Sequence, residues 1–468
     1  MNSLEGSQID YEVVVVGGGI AGLVALWTLR DRQALLLEAD ERVGGRIKSV
    51  QHGEYWANLG AQVYPHADSH MGKIGAELGL NVREIKGSLT AIGLRDRITN
   101  VARPELLPFV LKLTLRERVA MIRAGLKVMK GIRDINRIEH RVPTSEQEEQ
   151  EQRIALTGFE WNRTFADYVR GATGSVRALF ECISRRTAAD LDEVSAGAAL
   201  LVCAHVMGPK DAAAATAGVV MGGTEQVVHG LRERLSDQIV TSAPVTRVTD
   251  RGDHVVVTYE SEGATRQVTA RTVVVATPAH ITRQVVEAIP ADLDAALGSI
   301  TYGMYLSMGI FTDEHTPLSI DDVYAITTPG HEIDFLFNHA QILRDGERRK
   351  SGGSLMCYRG GPRAVELGEE SDEVIRDTFL RSVYELIPEL RGHVVKTVVQ
   401  RWPLGNVYGA PGQARKDAQA VFEHGFGHDR IVLAGEYFEP ISGMEPAARA
   451  AVRAAEQAVR GLTTLSAG

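Results

Sequence analysis

Val13-Val14-Val15-Val16-Gly17-Gly18-Gly19-Ile20-Ala21-Gly22, continued by Leu23-Val24-Ala25-Leu26-Trp27-Thr28-Leu29, reads as a buried strand, a tight turn and an apolar helix. Four β-branched residues in a row suit a strand covered on both faces, and the run stops at glycine. The turn is a G-x-G-x-x-G motif in the strand–turn–helix setting that gives it meaning. Gly17 permits the turn, Gly19 lets backbone approach a pyrophosphate, and Gly22 lets the helix pack on the strand. The N–H groups around Ala21 open the helix and offer a positive dipole end to phosphates. The predicted fold is α/β, around a Rossmann-like parallel sheet.

A second apolar strand, Ala34-Leu35-Leu36-Leu37, ends in Glu38. A carboxylate at this point accepts hydrogen bonds from both ribose hydroxyls of an adenosine and repels a 2′-phosphate, which disfavours NADP. The alternative is a glycine turn in a doubly wound sheet that binds nothing.

The stretch Glu38-Ala39-Asp40-Glu41-Arg42-Val43-Gly44-Gly45-Arg46 then places two arginines and two glycines just past the second strand. Here the chain resembles the flavin amine oxidase superfamily, which includes monoamine oxidases, protoporphyrinogen oxidase and phytoene-desaturase-like enzymes. The resemblance implies FAD rather than NAD. Arg42 and Arg46 neutralise the pyrophosphate, and the backbone of Ala39 and Gly45 passes close to it. For Arg46 alone, a surface salt bridge is the plain alternative. Asn58-Leu59-Gly60-Ala61-Gln62 is similar to the next flavin-contacting segment, with Gly60 and Ala61 against the isoalloxazine. Gln62 either hydrogen-bonds flavin or substrate, or is a buried amide satisfied by backbone.

Further along, Met221-Gly222-Gly223-Thr224-Glu225-Gln226 resembles the family's glycine pair before a helix, and Gln238 to Val248 is predicted as one strand. By resemblance the backbone of Val245 meets the adenine edge. His254 to Tyr259 and Gln267 to Ala276 are predicted as a hairpin joined through Glu260–Gly263. In the strand Tyr302 to Phe311, many relatives carry a lysine that holds a water at the flavin. Here either Ser307 or Leu306 takes that position, and Ile300 to Phe311 contains no lysine. The resemblance implies aromatics from this segment beside the flavin: Trp402 either lies there or packs at a domain junction, and Tyr408 is expected on the substrate-facing wall, where an aromatic steers an amine or flat ring. No cysteine lies in that segment, where some relatives tether the flavin, so the FAD is expected to be non-covalent. Ile431-Val432-Leu433-Ala434-Gly435-Glu436 is a last buried strand that resembles the family's C-terminal motif, which implies Gly435 and Glu436 near the ribityl chain. Met444 and Glu445 follow, at the start of an alanine-rich helix aimed at the flavin. Pro446 is expected at its first position, making Glu445 the N-cap.

The 468 residues include 47 glycines, about one in ten against a usual share of roughly 7%. Eight lie between Gly17 and Gly60 and seven between Gly405 and Gly443, but only Gly125 and Gly131 between Val101 and Thr157. That distribution implies one site built from the two ends of the chain. A net charge of −9 gives no basic balance for nucleic acid. Cys182, Cys203 and Cys357 form no disulfide framework. The pairs His66/His70 and His424/His428 lack zinc-motif partners and read as solvated loops, so no metal is expected. The polar N-terminus is not a signal peptide, and the chain reads as cytoplasmic.

From Pro104 to Ile138 the pattern is helical, with Val119, Ile122, Leu126, Met129 and Ile132 forming the predicted buried face. The basic residues opposite are read as a solvated face rather than a membrane-binding one. Ser145 to Gln152 reads as a polar loop or helix start.

The expected organisation is an FAD domain of discontinuous segments, 1–85, 215–285 and 410–468. An α+β substrate domain, 86–214 and 286–409, is inserted into it. The implied reaction is hydride transfer from a small organic substrate to flavin N5, oxidising an amine C–N or ring C–C bond, with oxygen or another electron acceptor. Such a transfer needs placement of the C–H and no obligatory base, so no dyad stands out. The residues placed at this chemistry are Tyr408, Gln62 and Ser307. A redox-neutral isomerase or mutase and a non-catalytic FAD protein are the alternatives, and a homodimer is a further expectation.

Overall fold

The computed structural model describes residues 9–85, 91–100, 104–207, 218–344, 349–426, 428 and 430–465. Two seven-stranded sheets organise these residues. The first centres on β1 (Tyr11–Val16), whose valines Val13, Val14 and Val15 are fully buried. β2 (Ala34–Leu37) lies parallel on one side and Ala264–Val275 parallel on the other, followed by Ile431–Leu433. The turn after β1 leads into α1 (Ile20–Thr28). Val13, Val15, Leu23 and Leu26 share a core with Ala448, Ala451, Ala455 and Ala458 of the helix Met444–Leu465. Alanines on that helix let it lie close against α1, so the end of the chain closes the first motif.

The second sheet runs Val394–Tyr408, Thr301–Thr312, Gly353–Gly360, Phe335–Asn338, Ala325–Thr327, Ala91–Leu94, Arg97–Thr99. A helical cluster from residues 104–207 packs beside it around Trp161, Phe165 and Leu200.

Five expectations change. Gln238 to Val248 is two strands, Ile239–Val240 on β2 and Val245–Asp250 on Val255–Ser261. Pro244 has no N–H and Ser242 sits at φ 51°, so one ladder cannot run through both. The hairpin strands are longer than predicted and meet at Glu262-Gly263, both at positive φ, the two-residue turn that matches strand twist.

The helix Leu115–Glu139 buries the opposite face from the one predicted. Met121, Ala124, Val128, Gly131 and Ile135 are inside, whereas Val119, Ile122, Leu126 and Met129 are exposed; of the predicted face only Ile132 is buried. Both stripes have helical spacing, and small residues mark the one that packs. A Cβ on Gly131 would stand 2.7 Å from the Tyr168 hydroxyl and 2.8 Å from Leu200.

The last helix starts at Met444 rather than at Pro446, which is therefore its third residue. No intrahelical bond is lost there, because the first four N–H groups of a helix have no partner in it. Each histidine pair is a loop in one member only: His66 and His428 lie outside helices, whereas His70 begins the helix His70–Glu77 and His424 ends Gln413–His424. Gly427 lies outside the described residues, as does the 214/215 domain boundary. The polar run is a helix start, Glu146–Gly158 capped by Ser145. Among the described residues, no helix is long and apolar enough to cross a membrane, and no group of His, Cys, Asp and Glu could hold a metal.

Candidate active site

Gly17 turns the chain at φ +101°, and a Cβ on Gly22 would stand 1.8 Å from the Gly17 carbonyl oxygen. Gly19 differs: a Cβ there would meet no protein atom within 4 Å. It is the N-cap of α1 at φ −66°, with no side chain capping the helix, so the N–H groups at Ile20, Ala21 and Gly22 face an open volume. Glu38, at the end of β2, accepts hydrogen bonds from the N–H of Gly18 and, at 2.8 Å, of Asp40. Its carboxylate is thereby fixed at the edge of that volume, beside exposed Ala39. The uncapped helix end, the space before Gly19 and the oriented carboxylate fit the phosphates and ribose of a dinucleotide.

Arg42 folds back onto its own loop, donating to Val43 O at 3.0 Å and to Gly45 O, with Glu225 at 3.4 Å. Its side chain shapes the loop on which Gly45 sits, 3.3 Å from Gly19 Cα as a Cβ would measure it. Arg46 pairs with Glu436 and donates to Gly405 O at 3.3 Å. Burial opposes its charge, but Glu436 outweighs that and holds the guanidinium above its ordinary value. It lies deep in the protein, yet 42% of its side chain reaches solvent, as crevice lining does. Glu436 follows Gly435 after the strand Ile431–Leu433, so the crevice joins the first and last strands of the chain.

The segment Leu59–Gln62 is held rigidly. Leu59 O accepts from Ser307 Oγ at 2.7 Å and from Trp402 Nε1 at 2.8 Å. A Cβ on Gly60 would stand 1.8 Å from Arg46 O, which accepts the Ala61 N–H. Gln62 Nε2 donates to Asn58 O at 3.0 Å and Gly60 O at 2.6 Å, leaving Oε1 to accept from His339 Nε2 at 3.0 Å. The amide of Gln62 is thus satisfied within the protein, as is the hydroxyl of Ser307, which is 1% exposed. His339 is fully buried; burial lowers its pKa to about 3, so it is neutral, and its Nδ1 has no hydrogen-bond partner. Nothing local in the sequence marks His339. Sequence reading also missed Lys48, whose ammonium donates to Gln400 Oε1 at 2.8 Å; Gln400 is the cross-strand partner of Ser307. The strand lacks a lysine, but one reaches the neighbouring strand from the first sheet's side.

Tyr408 ends the strand Val394–Tyr408 and lines a cavity of about 190 Å³ with Arg186, Val202, Asn406, Ile441 and Ser442. The cavity therefore adjoins the start of the last helix, where Met444 is buried. Glu445 turns away to cap the helix His70–Glu77, accepting the N–H of His70 and Met71 at 3.0 Å each and lying 2.9 Å from His70 Nδ1. Burial works against its charge, but these partners outweigh it and hold the carboxyl below its ordinary range. Val245 is half-buried at the start of its strand, paired with Tyr259. All three cysteines are buried: Cys182 and Cys357 lie in apolar clusters of the second sheet and Cys203 in the helical cluster.

The geometry is thus a glycine turn and an uncapped helix end that fit a dinucleotide, and a small cavity where the end of the strand Val394–Tyr408 meets the helical cluster and residues 440–442. A family model described as flavin containing amine oxidoreductase matches residues 20–459, nearly the whole chain. An L-amino-acid oxidase from Crotalus adamanteus is 41% identical over 66 residues, 14% of this chain and 13% of that protein, so the chain matches only a small part of that relative's length. Among solved structures, putrescine oxidase bound to putrescine superposes with a TM-score of 0.74 at 16% identity, covering 96% of this chain and 99% of the other. Cyclohexylamine oxidase from Brevibacterium oxydans gives 0.71 at 20% identity, covering 97% and 100%. At these identities the structural likeness speaks for the fold, and the family model for membership: the chain belongs to the flavin containing amine oxidoreductase family.

Proposed function

We propose that the chain is an FAD-dependent oxidase that removes hydride from a carbon bonded to nitrogen in a small organic substrate, with oxygen as the electron acceptor. The observation that carries this reading is the cavity lined by Tyr408, Asn406 and Ser442, which lies just before the last helix and whose Asn406 follows Gly405, the residue whose carbonyl Arg46 holds. FAD supplies the hydride-accepting ring; the protein supplies placement. In this reading the backbone at Gly17, Gly19, Ala21 and Gly22 receives the phosphates, with Gly45, Ala39 and Arg42 along their path. Glu38 takes the ribose, and Val245 lies at the adenine edge. Gly60 and Ala61, fixed through Leu59 by Ser307 and Trp402, hold the flat ring. Arg46, Gly435 and Glu436 line the crevice toward the ribityl chain, and the N-terminus at Met444 and Glu445 lends a positive dipole end. Tyr408 forms the wall against which the substrate lies.

No cysteine lines the cradle among the described residues, which supports a non-covalent FAD. Free buried thiols suit a reducing compartment such as the cytoplasm. The division into a cofactor domain of three segments and a substrate domain of two is part of the same proposal. Strands of the first sheet come from residues 11–37, 239–275 and 431–433, and those of the second from 91–99 and 301–408. The homodimer is left as an expectation.

The test is anaerobic mixing of the flavin-loaded protein with a panel of primary, secondary and cyclic amines. Loss of flavin absorbance, followed by hydrogen peroxide on admitting air, is the expected result. A panel that never bleaches the flavin overturns the oxidase reading in favour of a redox-neutral reaction or a purely structural FAD.

A further inference from the structure

Arg185 and Arg186 are neighbours on one short turn, Arg185–Thr187, but their surroundings are opposite. Arg185 is saturated with carboxylates: Asp190 on Nε, Asp334 at 3.2 Å and Glu181 at 3.8 Å. Arg186 has none within ion-pair distance among the described residues, and its buried Nε has no hydrogen-bond partner. Its guanidinium lies 4.0 Å from the centroid of the Phe335 ring, an attractive contact that leaves the donors of the fork unused. The nearby acid is already committed, since Asp334 is shared by Arg185, Arg359 at 3.4 Å and the Gly360 N–H at 2.8 Å.

Arg186 lines the same cavity as Tyr408. Its backbone oxygen accepts from Tyr305 Oη and, at 3.4 Å, from Asn406 Nδ2, so the turn is pinned to the strand that carries Tyr408. Among the described residues, no aspartate or glutamate lines this cavity. The other basic residue on the wall, His205, has its charge matched: its Nε2 lies 3.3 Å from Glu139. Glu193 acts on Tyr408 from outside the lining and accepts the Asp190 N–H, so among the described lining residues Arg186 carries the one charge with no ion-pair partner. An unpaired guanidinium in a partly desolvated pocket is unfavourable until an anion meets it, and its planar fork suits a carboxylate. A wall of this sign repels a diamine such as putrescine.

Resting on the reading of this cavity as the substrate site, we propose that Arg186 anchors a carboxylate of the substrate, so that the oxidised amine belongs to an amino acid or another molecule carrying both groups. Arg186 is a specificity-determining residue in this assignment, and hydride transfer itself needs nothing from it.

The probes are benzoate and its neutral isostere benzamide, titrated calorimetrically into the flavin-loaded protein. Benzoate is expected to bind at least tenfold more tightly than benzamide. Arg186→Met should bring benzoate down to the benzamide level, and Arg186→Lys should fall between. Arg123→Met, on the exposed face of the helix Leu115–Glu139, should leave both affinities unchanged. Flavin absorbance confirms that each variant is folded. Equal benzoate affinity in the parent and Arg186→Met, or no preference over benzamide, overturns the proposal. The two readings fail separately: Arg186-dependent benzoate binding without flavin bleaching by any amine removes the oxidase reading and keeps the anion site. Bleaching by simple amines with no benzoate preference does the reverse.

Discussion

Replacing Gly19 and Gly22 separately with alanine divides the ligand's demands from the fold's. Gly22→Ala puts a methyl carbon 1.8 Å from the Gly17 carbonyl oxygen, and neither atom belongs to a side chain that can rotate away. Helix and strand must separate, and overpacking of this severity costs about 3 kcal/mol or more. The apoprotein itself should be destabilised. Gly19→Ala adds the same methyl where no protein atom lies within 4 Å, at a φ of −66° that alanine adopts freely. The loss of chain entropy in the unfolded state and the poorer N-cap offset each other, so apoprotein stability should stay within about 1 kcal/mol of the parent. The methyl instead occupies the approach to the α1 amides. Losing one hydrogen bond to a charged phosphate costs about 1.5–3 kcal/mol, roughly a 10- to 150-fold rise in the Kd for FAD. Denaturant unfolding of apoprotein and fluorescence titration with FAD measure the two quantities independently. Were Gly19→Ala to bind FAD within twofold of the parent, the open volume at Gly19 would not be the seat of the pyrophosphate.

Glu38→Gln keeps the shape of the side chain but replaces a charged acceptor, which weakens each ribose bond by roughly 1 kcal/mol. FAD titration should show a loss of at least tenfold, with Glu41→Gln as an unaffected control on the exposed loop; equal affinity removes Glu38 from the ribose. For the helix Leu115–Glu139, Ile135→Ala should cost about 2–5 kcal/mol because the residue is fully buried, whereas Leu126→Ala should change stability by less than about 0.5 kcal/mol. Chemical unfolding that ranks them the other way reverses the assigned face. His339, whose pKa burial lowers to about 3, takes up a proton in the unfolded chain first, so its contribution is complete above about pH 6.5 and declines as pH falls toward 3. Between pH 7.5 and pH 5 that share amounts to about 2 kcal/mol, and unfolding of His339→Gln should lack it.

The strand–turn–helix at Val13–Thr28 was legible because its constraints are local: Gly17 needs its positive φ, and Gly22 faces a carbonyl five residues earlier. Glu38 was legible for the same reason, its spacing being set by one helix and one strand. The substrate side was not. Gln62 finds its histidine 277 positions away, and Ser307 finds the Leu59 carbonyl 248 positions away. Such pairs follow from how the second sheet packs on the first segment, which no local spacing encodes. In the helix Leu115–Glu139, two apolar stripes of equal periodicity competed, and the choice fell to the one with Gly131, whose smallness admits Leu200 and Tyr168. Arg186 looked identical to Arg185 in sequence; only the positions of Asp190 and Asp334 separate them.

The alanine-rich helix Met444–Leu465 and the strand Ile431–Leu433 complete a core begun at Val13. During synthesis, β1 meets β2 early but waits for its other parallel partner at Ala264–Val275, and the cradle waits longer still, for Glu436 to reach Arg46. Until those residues emerge from the ribosome, the first ninety can hold neither a closed sheet nor a flavin crevice. Cofactor loading is therefore a late event for this chain. Flavin supply would govern how much of the finished protein stays folded rather than how its synthesis begins.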